Sequence, residues 1–294
     1  MNNKKIVLLD GMSLLCRSFF AIPMLSNSKG IHTNAVYGFL NMMFKFLEEE
    51  NPNYLVVAFD VNHPTFRHVI YPDYKGTRGT MEPELYEQIP MIKNLLQAMN
   101  IKIIEQPGLE ADDLIGTLSA RAELEGYDVV IVSGDRDLLQ LATEKIKIRI
   151  PKTYKGKTVV EDYYAIDVKE RYGVTPSEYI SVKALMGDTS DNIPGVPGIG
   201  EKTATKIIAE YGSIHKAYEN VDNLKPPKAS KALKESYELA KICEFLVTIK
   251  KDADVKMELK NTEITDLYTK EAYDLLEELE LKSIIKRFSE KGEK

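Results

Sequence analysis

Apolar positions in the first half of the chain fall into two periods. IVLL (6–9), YLVVAF (54–59) and DVVIVSG (128–134) are short runs rich in β-branched residues, the form taken by buried strands of a parallel sheet. IKII (101–104) is a further apolar segment, and IKIRI (146–150) alternates, which places it nearer a sheet edge. Between them VYGFLNMMFKFLEEE carries Val36, Phe39, Leu40, Met43, Phe44 and Leu47 at helical spacing, and IKNLLQAM (92–99) and LIGTLSARAEL (114–124) also suit helices. Strands alternating with helices predict an α/β fold, a parallel sheet flanked by helices. After about residue 165 strand signals become scarce and lysine-rich helical stretches dominate, such as EKTATKIIAEY and KEAYDLLEELEL. A boundary near residue 168 divides a domain 1–168 from a mainly helical region 169–294. The tract 63–83, with three prolines, two glycines and interleaved basic and aromatic residues, is long for a passive connection and reads as a functional arm.

The predicted strands run into acids. IVLL ends at Asp10, YLVVAF at Asp60, and DVVIVSG at Asp135 with Asp137 close behind. Parallel strands deliver such residues to one edge of the sheet, outside the carboxyl ends, where open α/β sheets bind ligands. GLEADDLIG, after IKII, adds Glu110, Asp112 and Asp113. Acids in a first helical turn also complement the helix dipole, so it is their place beside the strand-end aspartates that gives them a second meaning. KALMGDTSDNIPG adds Asp188 and Asp191, which read equally as loop acids capping neighbouring amides. Gathered carboxylates repel one another and take raised, coupled pKa values unless cations neutralise them. The donors are all oxygen, with no histidine or cysteine beside them, so the ions expected are Mg2+ or Mn2+ rather than zinc. One magnesium rarely takes more than one or two protein carboxylates. Nine acids therefore imply two ions, an arrangement suited to phosphodiester hydrolysis.

Composition narrows the field. The 294 residues are 44% hydrophobic and 29% charged, ordinary for a globular chain, and the net charge of −6 argues at face value against a polyanionic partner. Setting the nine acids aside leaves +3, so the remaining surface is free to be basic. Only four apolar residues precede Asp10, too few for a signal peptide, and no run is long enough to span a membrane. Cys16 and Cys243 form no CxxC motif, which suits a reducing cytoplasm and thiols that pack. Within FRHVIYPDYKGTR, Arg67, Tyr74, Lys75 and Arg78 interleave cations with aromatics, as a single nucleic-acid strand requires; an ordinary solvated loop is the alternative. GVPGIGEKTATKI (195–207) nearly matches a Walker loop, but Glu201 separates Gly200 from Lys202 and breaks the GK[ST]. What remains is a turn built on Gly195, Gly198 and Gly200 that opens a helix, with Lys202 and Lys206 one turn apart. Its amides can hold a phosphate, and the same glycines serve a tight interhelical turn.

LLDG, FD, FRHxxYPDYKGTR, EADD, SGDRDLLQL and KALMGDTSDNIPGVPGIGEKTA follow in one order and spacing, from about residue 5 to about 290. This ordered set resembles the 5′-nuclease family, which includes the N-terminal nuclease domain of bacterial DNA polymerase I and stand-alone flap endonucleases and 5′–3′ exonucleases. IRIPKT and the ending ELELKSIIKRF are most similar to the polymerase version. The resemblance implies a PIN-like parallel sheet with a mixed edge, a helical arch at about 63–90, and a helix–three-turn–helix region with its hairpin at 195–202. It implies two-metal-ion cutting of DNA at 5′ flaps, nicks and ends, and of RNA primers, in replication and repair. The expected setting is the bacterial cytoplasm at the nucleoid, as a monomer standing alone or excised from a polymerase, and fused to or acting with one.

By position, the resemblance assigns Asp10, Asp60, Glu110 and Asp112 to a first metal. Asp113, Asp135, Asp137, Asp188 and Asp191 go to a second metal or its outer shell. Lys75 and Arg78 match arch cations facing the scissile phosphate, Tyr74 an arch aromatic, and Lys183 a second phosphate-contacting cation. The 195–202 turn matches the part that holds downstream duplex, where carbonyls can also hold K+. Cys16 stands where the family usually has an aromatic that stacks on the nucleotide beside the cut, with Phe19 and Phe20 the candidates to replace it. The competing reading is a non-catalytic, structure-specific nucleic-acid-binding module on the same fold, disfavoured because no acidic position is missing. A phosphatase is disfavoured because DGM lacks the second aspartate of a DxD pair.

Overall fold

The computed structural model describes residues 4–154 and 157–292. At its centre lie β1 (Lys5–Asp10), β2 (Tyr54–Ala58), β3 (Lys102–Ile104), β4 (Asp128–Val132), β5 (Ile146–Tyr154) and β6 (Lys157–Tyr163), in the sheet order β3-β2-β1-β4-β5-β6. The first five strands are parallel and β6 returns antiparallel on β5, so the sheet has the mixed edge expected. Asp10 pairs with Ala58 and Leu9 with Val132. That register makes the residues after β1, β2 and β4 leave the sheet side by side.

β1 is buried on both faces, which is why its sequence is continuously apolar. Val7 and Leu9 pack into a core with helices Gly11–Ala21, Asn34–Glu50 and Gln88–Ala98. Ile6 and Leu8 pack on the opposite face with helix Ala111–Leu124, and that core continues into helices Pro176–Met186, Glu201–Tyr211 and Tyr237–Val247. No described helix is long and apolar enough to cross a membrane.

The structure adds detail to these expectations. IKIRI is an interior strand, paired with β4 and β6; the edge is β6, whose polar TVVED pattern gave too little signal. The arm segment carries two short helices, Phe66–Ile70 and Pro83–Tyr86, with turns between them. Residue 168 falls inside helix Ala165–Tyr172, which ends at Gly173 in the left-handed region. Part of 169–294 packs on the first domain: Leu276, Ile284 and Phe288 of the last two helices return to the Phe39 and Phe44 face of the sheet. Their apolar stripes need partners: helix Lys270–Glu278 packs on helix Gln88–Ala98, and helix Lys282–Gly292 on the long helix Asn34–Glu50.

Helix Pro176–Met186 shows how local sequence sets the site. Thr175 accepts from the Glu178 N–H at 3.3 Å while the Glu178 carboxylate accepts from the Thr175 N–H at 2.8 Å, a reciprocal cap with Pro176 in the first turn. The helix stops at Gly187, so Lys183 sits in its last turn and Asp188 immediately beyond. Gly187 and Gly195 both have positive φ, and their backbones abut: a Cβ on Gly195 would stand 2.5 Å from the Gly187 nitrogen. Gly195→Ala should therefore lower unfolding free energy by about 2 kcal/mol or more in denaturant titration, a loss that an equally stable variant would contradict.

Candidate active site

Asp10 lies at the base of the site, 5% exposed. One carboxylate oxygen caps helix Gly11–Ala21 by accepting from the Ser13 N–H at 3.0 Å, and the other accepts from the Ser133 hydroxyl at 2.6 Å. Asp60, exposed just past β2, accepts from the Ala111 N–H at 2.9 Å, which draws the start of helix Ala111–Leu124 toward the sheet edge. Asp112 is half-buried in that helix's first turn, and Asp135 is exposed past β4. Burial pushes the Asp10 carboxyl up to about 7, with the charges of Asp60 and Asp135 adding to it and the Ser133 and Ser13 donors opposing. Burial also raises Asp112, reinforced by Asp135, Asp10 and Asp60. Four acids from four segments thus share one field. Among the described residues, however, no three of them close into a ligand cage; the donors converge while still held by protein partners.

Cations flank this centre on two sides. Lys75, at φ 56°, donates from Nζ to Glu110 at 2.7 Å, and its N–H donates to the Asp191 carbonyl. Arg78 reaches Asp191 at 2.6 Å. Burial would lower the Lys75 ammonium, but Glu110 and Asp191 outweigh it and the group is raised. On the other side Lys183 lies 2.9 Å from Asp137 and 2.5 Å from Asp188. Burial and neighbouring Asp135 push Asp137 up to about 7 against the pull of Lys183. At Asp188 burial loses to the Lys183 and Ser190 donors, and the carboxyl is held down at about 2.

Four assigned residues do other work. Asp113 is fully buried and fills its lone pairs with Arg67 Nη1 (2.8 Å), Arg67 Nη2 (2.9 Å), the Glu110 N–H (3.1 Å) and the Lys250 N–H (3.0 Å), leaving nothing for a metal. Arg67 is 2% exposed and also donates to the Leu246 and Thr248 carbonyls, so it ties the arm to the helical region instead of meeting nucleic acid. Tyr74 is 3% exposed, its hydroxyl donating to Glu110 (3.0 Å) and Asp191 (3.1 Å), and its ring has no free face for a base. Gly195 is buried, packed against the Gly187 backbone. Gly198, Gly200, Lys202 and Lys206 remain exposed at the head of helix Glu201–Tyr211.

Sequence reasoning missed Ser13 and Ser133, which orient Asp10 from 123 residues apart in the case of Ser133. No periodicity marks them. The Asp113 role did leave a signal: Glu110 and Asp113 stand three apart and form a capping box.

Residues 5–173 match the family described as 5′–3′ exonuclease, N-terminal resolvase-like domain, and residues 174–270 match the 5′–3′ exonuclease C-terminal SAM fold. The chain belongs to the 5′–3′ exonuclease family, whose members are nucleases. It is 45% identical over 284 residues to the DNA polymerase I of Bacillus caldotenax, covering 97% of this chain and 32% of that protein. It thus spans about a third of the length of such relatives. Its fold is similar to that of the bacteriophage T5 flap endonuclease in a pseudo-enzyme–product complex with DNA and metal ions (TM-score 0.68, 23% identity, 99% of this chain and 100% of that one). The T5 protein co-crystallised with metal ions is also similar (TM-score 0.67, 22% identity, 98% and 99% covered).

Two stability experiments check the geometry. Arg67→Ala leaves the Asp113 charge buried without its partner and should cost about 3–5 kcal/mol in denaturant unfolding; a loss below about 1 kcal/mol would contradict the clasp. Asp10 ionises near 7 in the native chain and near 4 when unfolded. Its penalty is therefore absent below the lower value, grows between the two, and is complete above the upper one. In chelated protein Asp10→Asn should raise unfolding free energy by on the order of 1–3 kcal/mol at pH 8, and by clearly less at pH 5. Equal gains at both pH values would refute the assignment.

Proposed function

We propose that this chain is a divalent-metal-dependent, structure-selective 5′ nuclease that hydrolyses phosphodiester bonds of DNA and RNA primers near single-strand/duplex junctions. The observation that carries the reading is the cluster of Asp10, Asp60, Asp112 and Asp135 at one sheet edge, with Lys75, Arg78 and Lys183 around it. The donor chemistry fits hard cations: every group is a carboxylate, and Asp10 and Asp112 are raised by burial and mutual repulsion. Asp10, Asp60, Asp112 and Asp135 would hold two Mg2+ or Mn2+ ions, with Glu110, Asp137, Asp188 and Asp191 as further ligands or outer supports. When bound, such ions supply Lewis-acid activation of the attacking water and offset charge on the attacking and leaving oxygens.

The chain's own residues supply the rest. Lys75 and Arg78 exchange Glu110 and Asp191 for the substrate phosphate, placing two cations where negative charge grows in the transition state. Lys183 holds Asp137 and Asp188 in place and lends a third cation. The exposed turn at Gly198 and Gly200, with Lys202 and Lys206, would grip duplex backbone without reading bases, and its carbonyls would be the ligands for a K+ ion. The protein acts in replication and repair on nucleoid DNA in the cytoplasm, as a monomer joined to or working beside a polymerase.

A labelled 5′-flap duplex with Mg2+ tests this reading. Cleavage near the junction, lost on chelation and in Asp135→Ala, is expected; tight binding without cleavage would favour the binding-module reading. Lys75→Ala should lower kcat at least tenfold while changing Kd for the flap less than threefold, about 1.4 kcal/mol or more of barrier against under 1 kcal/mol of binding. A loss confined to Kd would make the arm a docking surface.

A further inference from the structure

In the turn after β4 a cation, Arg136, stands between two acids of the cluster, Asp135 and Asp137. The Asp135 carboxylate accepts from the Asp137 N–H at 2.8 Å, a side-chain turn that bends the chain within three residues. Other contacts hold the front of this turn: the Asp135 N–H donates to Ser133 Oγ at 2.9 Å, and Asp137 meets Lys183 at 2.9 Å. Asp135 thereby lies within electrostatic reach of Asp10 and Asp112. Arg136 turns to different partners. Its guanidinium reaches past the neighbouring strand β5 to Glu161 of β6, at 3.7 Å, and donates to the Tyr172 hydroxyl at the end of helix Ala165–Tyr172.

Both partners are fixed without it. Glu161 also accepts from the Tyr163 hydroxyl at 2.7 Å and pairs with Lys152 at 2.5 Å. The Tyr172 ring packs against Tyr163 and Tyr179, with centroids 6.2 and 5.2 Å away. Tyr179 is buried on helix Pro176–Met186, one turn before Lys183. The helix that holds Asp137 from the front therefore also backs the anchor behind Arg136. For stability the contact matters little. An ion pair of this length on a side chain 40% exposed is weak, and the fully buried Leu138 and Leu139 already hold the following turn in the core. What the contact restricts is the direction in which the acids on either side present their carboxylates.

We propose that Arg136 is a positioning residue: latched to Glu161 and Tyr172, it fixes the turn so that Asp135 and Asp137 converge on the acid cluster. Without the latch the turn keeps its buried leucines but loses the tether behind it, and the two carboxylates no longer hold one direction. Outer contacts of this kind orient the groups that hold a metal, and losing one costs metal affinity. The sign of the effect separates this role from plain electrostatics. Removing a cation beside an acid cluster deepens its negative potential and should tighten a divalent ion; loosening the geometry should weaken it. The proposal rests on the nuclease reading, in which Asp135 and Asp137 hold or support such an ion.

Mn2+ binding to the chain, followed by loss of the free-ion electron paramagnetic resonance signal, tests the latch in the absence of DNA. Arg136→Ala should weaken binding about ten- to a hundredfold with no change in the unfolding midpoint. Tyr172→Phe alters no charge and removes only the hydroxyl, and it should weaken binding in the same direction, as should Glu161→Gln. The Arg136→Ala/Glu161→Gln double variant should bind no more weakly than Arg136→Ala alone. Mn2+ affinity that is unchanged or tighter in Arg136→Ala, or unchanged in Tyr172→Phe, would overturn the latch, and the second variant decides where the first does not fold. A loss of flap binding in chelator with Mn2+ affinity intact would make Arg136 a phosphate contact and overturn it as well. Wild-type Mn2+ binding and Mg2+-dependent flap cutting, measured in the same series, keep the two readings apart. With both present, silent variants overturn the latch alone; their absence overturns the nuclease reading itself.

Discussion

Like charges at the carboxyl edge of one parallel sheet repel each other, and much of the chain serves to hold them there. Asp10 and Asp60 follow adjacent strands in register, and Asp135 follows the strand on the other side. Unit charges a few ångströms apart in a partly screened interior oppose one another by on the order of a few kcal/mol. Two continuous cores, one on each face of the sheet, supply the burial that sustains this. Directed donors then fix each acid: Ser13 and Ser133 on Asp10, Ala111 on Asp60.

The cations divide by how fully they are used. Arg67 spends its donors on Asp113 and two carbonyls inside the protein, and this pair is architecture. Lys75 and Arg78 hold one carboxylate each, at the border of solvent. An incoming anion could replace either carboxylate without leaving the ammonium or guanidinium unpaired. The arm is therefore anchored at its root by a buried clasp and left exchangeable at its tip. That division suits an element that must meet a changing charge without unfolding.

Much of this was readable in advance. Three of the strands were short apolar runs leading into Asp10, Asp60 and Asp135, so the acids at that sheet edge followed from topology. What escaped was set by contacts between distant segments. Asp112 and Asp113 are neighbours in sequence, yet a helix turns them about 100° apart, one toward the cluster and one into the core. Arg67 and Arg78 look alike in the arm, and only the partner carbonyls at 246 and 248 separate them. The last helices carry stripes that fit any apolar face, and the sequence does not say that the faces belong to helices Gln88–Ala98 and Asn34–Glu50. Phe19 and Phe20 are neighbours that the sequence does not separate, yet the first is buried and the second exposed.

The central claim is that these acids converge to hold divalent cations over a nucleic-acid strand. Crystals soaked in Mn2+ and measured at the manganese absorption edge test it directly. The account predicts anomalous peaks within bonding distance of carboxylate oxygens of Asp10, Asp112 and Asp135, and none at Asp113. Peaks confined to other surface acids, or no peak at the sheet edge at saturating Mn2+, would contradict it.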